Sequence, residues 1–272
     1  MNLPSTIRQR TMIRRQTFAG VTGVAMMAAA VRLLIAAPPQ PAEQSKQPAE
    51  QQRAAARDKL APLQFLVGSW KGVGQIKRGS NDGAWTEQQE WIWKFTADNA
   101  CLAFQGESAR YFQSGELRAL EQPGQFALSV LANAGPPNNK ETARRIEYIG
   151  ERSEDGQLRL LADDAVDPLP QKISIRSVAS GDRLVMLLER KAAGGRLQRL
   201  CEIGFTRVGS GFGQGSNGPE CVVTGGFGSM TVTYKGQSYP VCCSGCRDAF
   251  NEDPEKILAE FREKKANPRK PM

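Results

Sequence analysis

Four of the six cysteines in this 272-residue chain fall within residues 221–246, and the chain contains no histidine. Their spacing is Cys221-x20-Cys242-Cys243-x2-Cys246. If a helix follows Cys243, the thiols of Cys242 and Cys246 lie one turn apart on one face. Grouped thiolates bind soft or borderline cations, so the spacing indicates a site for Zn²⁺ or Cu⁺.

The residues between Cys221 and Cys242 predict the element that brings the two cysteines together. Their pattern indicates a strand at 230–234, a turn at Lys235-Gly236 and a second strand at 237–241. Such a hairpin returns the chain and carries Cys221 towards the start of the helix. We therefore expect Cys221, Cys242 and Cys246 to converge.

The spacing does not identify the fourth ligand of such a site. Cys243 is one candidate, and water or a carboxylate such as Asp248 is another. A helix should follow the cluster, because Asp253-Pro254-Glu255 combines an N-cap residue, a proline in the first turn and an acid. Its apolar stripe can cover the hairpin and complete a small module.

The segment from Cys221 to Phe261 resembles the TRASH/YHS metal-binding domain. Members carry a cysteine near a glycine, then Tyr-x-Gly-x-x-Tyr, Cys-Cys-x-x-Cys and Phe-x-x-Asp-Pro-x-x-x-Leu motifs. These stand here at Cys221 with Gly225, at 234–239, at 242–246 and at 250–258. The resemblance implies a treble-clef-like fold and heavy-metal coordination by Cys221, Cys242 and Cys246. Val222 departs from the pattern, because many relatives carry proline there.

Two disulfides within the cluster are the alternative, since exported proteins form them and thiol pairing competes with metal binding. Three functional classes follow. The module captures, delivers or senses a metal; or it is the redox element of a thiol protein or enzyme; or its zinc is structural and the module contacts a protein partner. No catalytic acid, base or activated nucleophile can be identified, which favours a binding protein over an enzyme.

Residues 57–208 predict a mainly β domain. Short runs of alternating polarity are separated by turn signals such as SNDG at 80–83 and EDG at 154–156, and no long helical pattern lies between them. This favours an antiparallel barrel or sandwich. Gly68-Ser69-Trp70, preceded by a short helical turn, resembles the start of lipocalin-like (calycin) barrels. That resemblance implies an interior that could take a small apolar ligand.

Several side chains of this domain have more than one interpretation. Trp70, Trp91 and Trp93 either contact a barrel ligand or pack in the core, and packing is the commoner role of aromatic residues. Cys101 and Cys201 could form a disulfide that closes the barrel, or each could be a small buried hydrophobe. The acids are scattered, so we expect them on solvated strand faces without a hydrolytic pair; they include Glu87, Glu90, Glu107, Glu116 and Asp163.

The N-terminus predicts export to the periplasm or cell envelope. A basic stretch ending at Arg14-Arg15 precedes an apolar run at 18–31, typical of a signal segment at 1–37 that is cleaved or remains as a membrane anchor. Residues 38–56 predict a disordered linker. A Gly/Ser linker at 209–218 separates the barrel from the cysteine module at 219–272.

The charge distribution excludes a nucleic-acid partner. The net charge is +8, but residues 1–37 contribute five arginines and no acid, which leaves +3 for the remaining chain. A charge this small lacks the concentrated basic face that nucleic acids require.

Overall fold

The computed structural model describes residues 46–133, 143–162, 169–192, 194–209 and 219–267. The predicted export segment lies outside these ranges, as do the first residues of the 38–56 linker, Asp163 and nearly all of the linker at 209–218. None of the helices within the described ranges has the length and apolar character needed to cross a membrane.

Among the described residues, ten antiparallel strands close into a barrel. Each strand pairs with the next along the chain, and β10 pairs with β1. The strands are β1 (Gly68–Gln75), β2 (Trp85–Phe95), β3 (Ala100–Glu107), β4 (Phe112–Ala119), β5 (Gln125–Asn133), β6 (Ala143–Arg152), β7 (Leu158–Leu161), β8 (Lys172–Val178), β9 (Arg183–Lys191) and β10 (Leu197–Arg207). The predicted mainly β, antiparallel barrel is confirmed.

Alternation along the strands fills the barrel with side chains. Along β2, Trp91 and Trp93 are each 1% exposed, while Glu90 and Lys94, which flank this pair in sequence, face solvent. The Trp91 and Phe104 ring centroids lie 4.6 Å apart across the β2–β3 pair. Trp70 is likewise buried. The three tryptophans therefore belong to the packed core, and a ligand-binding role for them stays a prediction.

Glu87 overturns the expectation that the acids lie on solvated faces. Its carboxylate points into the barrel and is only 3% exposed. It accepts hydrogen bonds from Trp85 Nε1 at 2.7 Å and from Gln89 Nε2 at 3.1 Å. Burial raises the pKa of Glu87, and these donors partly offset the effect. The alternation of β2 puts Glu87 on the inner face of the barrel. The expectation of a solvated position followed from its polarity alone and was wrong.

A helix, α1 (Lys46–Leu60), replaces the second half of the predicted disordered linker. Its alanine, glutamine and arginine residues have high helix propensity. Leu60 is fully buried and Ala56 packs against the core, while Glu50 pairs with Lys256 of the C-terminal helix described below. Tertiary contacts therefore order a segment whose composition alone indicates disorder.

A 3-10 helix (Ala61–Leu66) follows α1 and leads into β1, which confirms the predicted helical turn. Trp70 Nε1 donates to Leu66 O at 2.7 Å. The Arg207 guanidinium stacks 4.2 Å from the Trp70 ring centroid and donates to Val67 O at 2.6 Å, Phe65 O at 3.1 Å and Gly181 O at 3.2 Å. Arg207 thus ties the last strand to the segment that precedes the first.

The cysteine module has the predicted elements. Strands β11 (Met230–Tyr234) and β12 (Gln237–Val241) form the hairpin, and helices α2 (Ser244–Glu252) and α3 (Pro254–Ala266) follow. Lys235 and Gly236 both have positive φ, as a two-residue hairpin turn requires. The Asp253 side chain caps α3 by accepting from Lys256 N at 3.1 Å. The fold is a β-barrel followed by a small hairpin-and-helix module.

We predict that Arg207→Ala lowers the free energy of unfolding by about 2–4 kcal/mol, because buried carbonyls lose charge-assisted donors and Trp70 loses its stacking partner. Urea titration followed by tryptophan fluorescence measures this change. Arg118→Ala is the matched control, since Arg118 pairs with Glu147 at the surface, where each side chain is nearly half exposed. Equal destabilisation by both variants would contradict the role given to Arg207.

A candidate metal centre of three cysteines

Three thiols converge as the spacing predicted. The Sγ atoms of Cys221, Cys242 and Cys246 all lie within 4.8 Å of one another, and those of Cys242 and Cys246 are 3.4 Å apart. Cys221 and Cys246 are fully buried, and Cys242 is 4% exposed. Sulfur atoms this close, removed from water and not bonded to one another, form a set that could hold a metal ion.

A tight loop presents Cys221. Gly225 N donates to Cys221 O at 2.8 Å, and Cys221 N donates to Gly226 O at 2.7 Å. Gly225 has φ +76°, which glycine adopts without strain. Closing the loop turns the N–H and hydroxyl of Thr224 towards the Cys221 sulfur, and both hydrogen-bond to it. Such donors are the usual partners of a metal-bound thiolate.

The other two cysteines flank the start of α2. Cys242 follows β12, Cys243 is the N-cap residue with extended backbone, and Cys246 lies in the first helical turn. The N–H groups at a helix start carry partial positive charge, which favours thiolates nearby. The end of the hairpin and the start of α2 thus place the side chains of Cys242 and Cys246 next to each other and close to Cys221.

Hydrogen bonds within the cluster separate the pKa values of its thiols. Donation from Cys242, Cys246 and Thr224 lowers the pKa of Cys221. The pKa values of Cys242 and Cys246 are raised, first because each donates to Cys221. The protons of the neighbouring thiols therefore stabilise negative charge on Cys221. A cation could replace those protons.

Cys243 lies on the barrel side of the cluster, in contact with the sulfurs of Cys242 and Cys246. Its sulfur is 3.9 Å from that of Cys242 and accepts a hydrogen bond from Trp93 N at 3.3 Å. It is not among the sulfurs that lie mutually within 4.8 Å. This position favours contact with the barrel, and a ligand role for Cys243 stays a prediction.

The cysteine module packs against the part of β2 that does not pair with β1. Strand β1 begins at Gly68, opposite Trp91, so β2 has no β1 partner beyond that residue. Cys243 supplies an acceptor for the Trp93 N–H, and Gly245 packs so closely that an added Cβ would lie 1.7 Å from Trp93 O. Main-chain groups left without partners are costly when buried, and the cysteine loop covers them.

Cys101 and Cys201 do not form the predicted disulfide. Both thiols are free. Cys201 points into the barrel, where burial raises its pKa to about 12. Cys101 lies on the outer face between the buried residues Ala100 and Leu102, beside Lys94 and Glu116. Side chains on opposite faces of a barrel wall cannot bridge, so of the two interpretations the structure favours separate thiols.

Thr224 is the site residue that the sequence reading missed. Its Oγ1 lies 3.5 Å from Cys242 Sγ and 4.0 Å from Cys246 Sγ, and it hydrogen-bonds to Cys221. Its position three residues after Cys221 was the available signal. Asp248, considered as a ligand, is exposed and pairs with Arg247.

A pocket of about 320 Å³ opens beside the cluster. Cys242 lines it together with Gly226 and Phe227 of the module and with Gln64 and Arg207 from the end of the barrel. The Arg207 guanidinium interacts electrostatically with Cys242. The pocket therefore joins the sulfur cluster to solvent between the barrel and the module, under a positive charge.

The chain matches no protein-family model. No curated protein matches it. Among solved structures, the chain is similar to the protein described as Rv2717c from M. tuberculosis, at 19% identity over 55% of this chain and 96% of that chain, with a TM-score of 0.34. That likeness carries no conclusion about function, and the barrel assignment here rests on the strand pairing.

We predict that Gly245→Ala lowers the free energy of unfolding by about 1–3 kcal/mol, because the new methyl group overlaps Trp93 O. Helix propensity alone would make alanine stabilising by about 1 kcal/mol at this position, so the sign of the change is diagnostic. Chemical denaturation measures it. Gly204→Ala is the control, because its added Cβ would meet only Arg183 Nη2, at 3.7 Å.

Proposed function

We propose that the protein is an exported heavy-metal-binding protein whose C-terminal module, of the TRASH/YHS type, holds Zn²⁺ or Cu⁺ through Cys221, Cys242 and Cys246. The observation that carries the proposal is the mutual approach of the three buried sulfurs within 4.8 Å. Thiolates of this kind are preferred by both cations.

The surroundings of the three sulfurs fit a metal-binding role better than a role as hydrophobic core residues. The Thr224 N–H and hydroxyl donate to Cys221, and the start of α2 lies beside Cys246. Buried thiols that served only as hydrophobes would not need these donors. The ion bound here would neutralise the thiolates and cross-link the loop, hairpin and helix of the module, which contains few other buried apolar residues.

We assign to this metal site a role in metal capture, delivery or sensing. Cys242 borders the pocket at the junction with the barrel, so an ion has a path to and from the site. A site with three thiolates differs from the closed four-thiolate site that is typical of structural zinc. The basic and apolar pattern of residues 1–37 supports the assignment to the periplasm or cell envelope. A protein partner facing the module, and a small apolar ligand in the barrel, belong to the same proposal.

Thiol redox chemistry is the second candidate. Cys242 Sγ and Cys246 Sγ lie 3.4 Å apart, a separation from which a disulfide can form with little movement. Metal binding and disulfide formation use the same atoms, so each would prevent the other.

We predict that the full chain, purified under reducing conditions without added metal, contains about one zinc or copper ion per chain by elemental analysis. The Cys242→Ser, Cys246→Ser double variant should contain none, because serine does not replace thiolate for these cations. Cys101→Ser is the matched control, since Cys101 lies on the outer wall of the barrel, and it should retain the metal.

Absence of metal from the parent chain even after addition of Zn²⁺ or Cu⁺, together with a Cys242–Cys246 disulfide on mass mapping after export, would reject metal binding. The redox candidate would then stand in its place.

Metal affinity should rise with pH. The pKa of Cys221 is lowered and those of Cys242 and Cys246 are raised, so near neutral pH the first is a thiolate and the other two carry protons. Binding by three thiolates would therefore release protons, and lowering the pH opposes that release. Calorimetry of Zn²⁺ binding in two buffers with different ionisation enthalpies counts the protons. A count of zero would contradict these protonation states.

A further inference from the structure

The Thr224 hydroxyl faces the whole sulfur cluster. Oγ1 lies 3.5 Å from Cys242 Sγ and 4.0 Å from Cys246 Sγ, and it also hydrogen-bonds to Cys221. Threonine is β-branched, so its hydroxyl has few rotamers and is held in place by the loop that presents Cys221. One oxygen therefore lies close to all three sulfurs.

The distances from Oγ1 to two of the sulfurs are close to those in a tetrahedron of three sulfurs and one oxygen, while the Cys242 and Cys246 sulfurs, 3.4 Å apart, are somewhat closer than in such a site. With Zn–S bonds of about 2.3 Å and Zn–O bonds of about 2.0–2.2 Å, ideal tetrahedral angles place sulfur and oxygen roughly 3.5–3.7 Å apart. The same geometry places two sulfurs roughly 3.8 Å apart. The observed distances from Oγ1 to the sulfurs of Cys242 and Cys246, 3.5 and 4.0 Å, bracket the expected separation.

The other candidates for the fourth position are directed elsewhere. The Cys243 sulfur lies 3.9 Å from that of Cys242, but it accepts the Trp93 N–H and is not among the sulfurs that lie mutually within 4.8 Å. Asp248 is exposed and bonded to Arg247. On the side of the pocket, Gly226 lies beside the hydroxyl: an added Cβ on Gly226 would be 3.6 Å from Thr224 Oγ1.

We propose that Thr224 Oγ1 is the fourth donor of the site, so that the module offers three sulfurs and one oxygen and selects a tetrahedral divalent ion, Zn²⁺, over Cu⁺. The inference rests on the proposed metal-binding function. The oxygen donor decides the selectivity because Cu⁺ is satisfied by soft sulfur ligands, whereas Zn²⁺ accepts oxygen and completes four-coordination with it. The order Cys221-Val222-Val223-Thr224 would then supply two donors from one loop.

The test compares Thr224→Val, which keeps the shape and removes the oxygen, with Thr224→Ser, which keeps the oxygen. Thr233→Val on β11 is the control for the substitution itself, because Thr233 is exposed on the hairpin. Co²⁺ bound to the full chain reports the geometry through its visible bands. Competition with chelators reports the affinities for Zn²⁺ and Cu⁺.

We expect Thr224→Val to lose the intensity of tetrahedral Co²⁺ bands and to bind Zn²⁺ about 10–100-fold more weakly, with Cu⁺ affinity changed less than about threefold. Thr224→Ser and Thr233→Val should stay near the parent protein in the ratio of the two affinities. Urea titration of each variant shows whether it is folded, and the serine variant keeps the test decisive if the valine variant is not.

Two results would overturn the assignment of Thr224 while leaving metal binding intact. One is a Thr224→Val variant with the parent's Co²⁺ spectrum and the parent's Zn²⁺/Cu⁺ ratio. The other is a shift of the parent's Co²⁺ bands on adding azide, which shows an exchangeable ligand at the fourth position. A parent chain that binds no ion through Cys242 and Cys246 rejects the proposed function itself, and the role of Thr224 with it.

Discussion

Trp93 is the residue through which the barrel and the cysteine cluster depend on each other. The β1 strand ends its pairing with β2 at Trp91, and the main chain of Trp93 is left facing the module. Its N–H donates to Cys243 Sγ, and its carbonyl leaves room only for the glycine at 245. The three residues between Cys242 and Cys246 are thus shaped by the barrel edge, so the position of the sulfurs is set partly by a strand 150 residues away in sequence.

Charge at the same junction is balanced by one half-buried arginine, Arg207. Arg207 binds the carbonyls of Phe65, Val67 and Gly181, stacks on Trp70 and interacts with the sulfur of Cys242. A single side chain therefore closes the end of the barrel and offsets negative charge in the cluster. A cluster with this neighbour can hold thiolates at a lower cost than an isolated module could. The barrel acts as the support on which the site is built.

The α1 helix adds a second attachment between barrel and module. Glu50 and Arg57 of α1 pair with Lys256 and Glu260 of α3, while Leu60 is buried in the core. Exposed ion pairs contribute little individually, so burial of Leu60 and the packing of Ala56 hold the helix in place. A metal bound by Cys221, Cys242 and Cys246 would lie between the loop, the hairpin and α2.

The sequence by itself determined whatever depends on local pattern. Period-two alternation predicted the strands and the barrel, the Lys235-Gly236 turn predicted the hairpin with its observed bounds, and spacing predicted the convergence of three cysteines. Only the tertiary structure decided that Cys101 and Cys201 lie on opposite faces of the barrel wall, that Glu87 is buried, that residues 46–56 are helical and that Cys243 meets Trp93. These outcomes depend on strand register, on barrel closure and on contacts between residues distant in sequence. The composition or spacing of a single segment does not determine such long-range contacts.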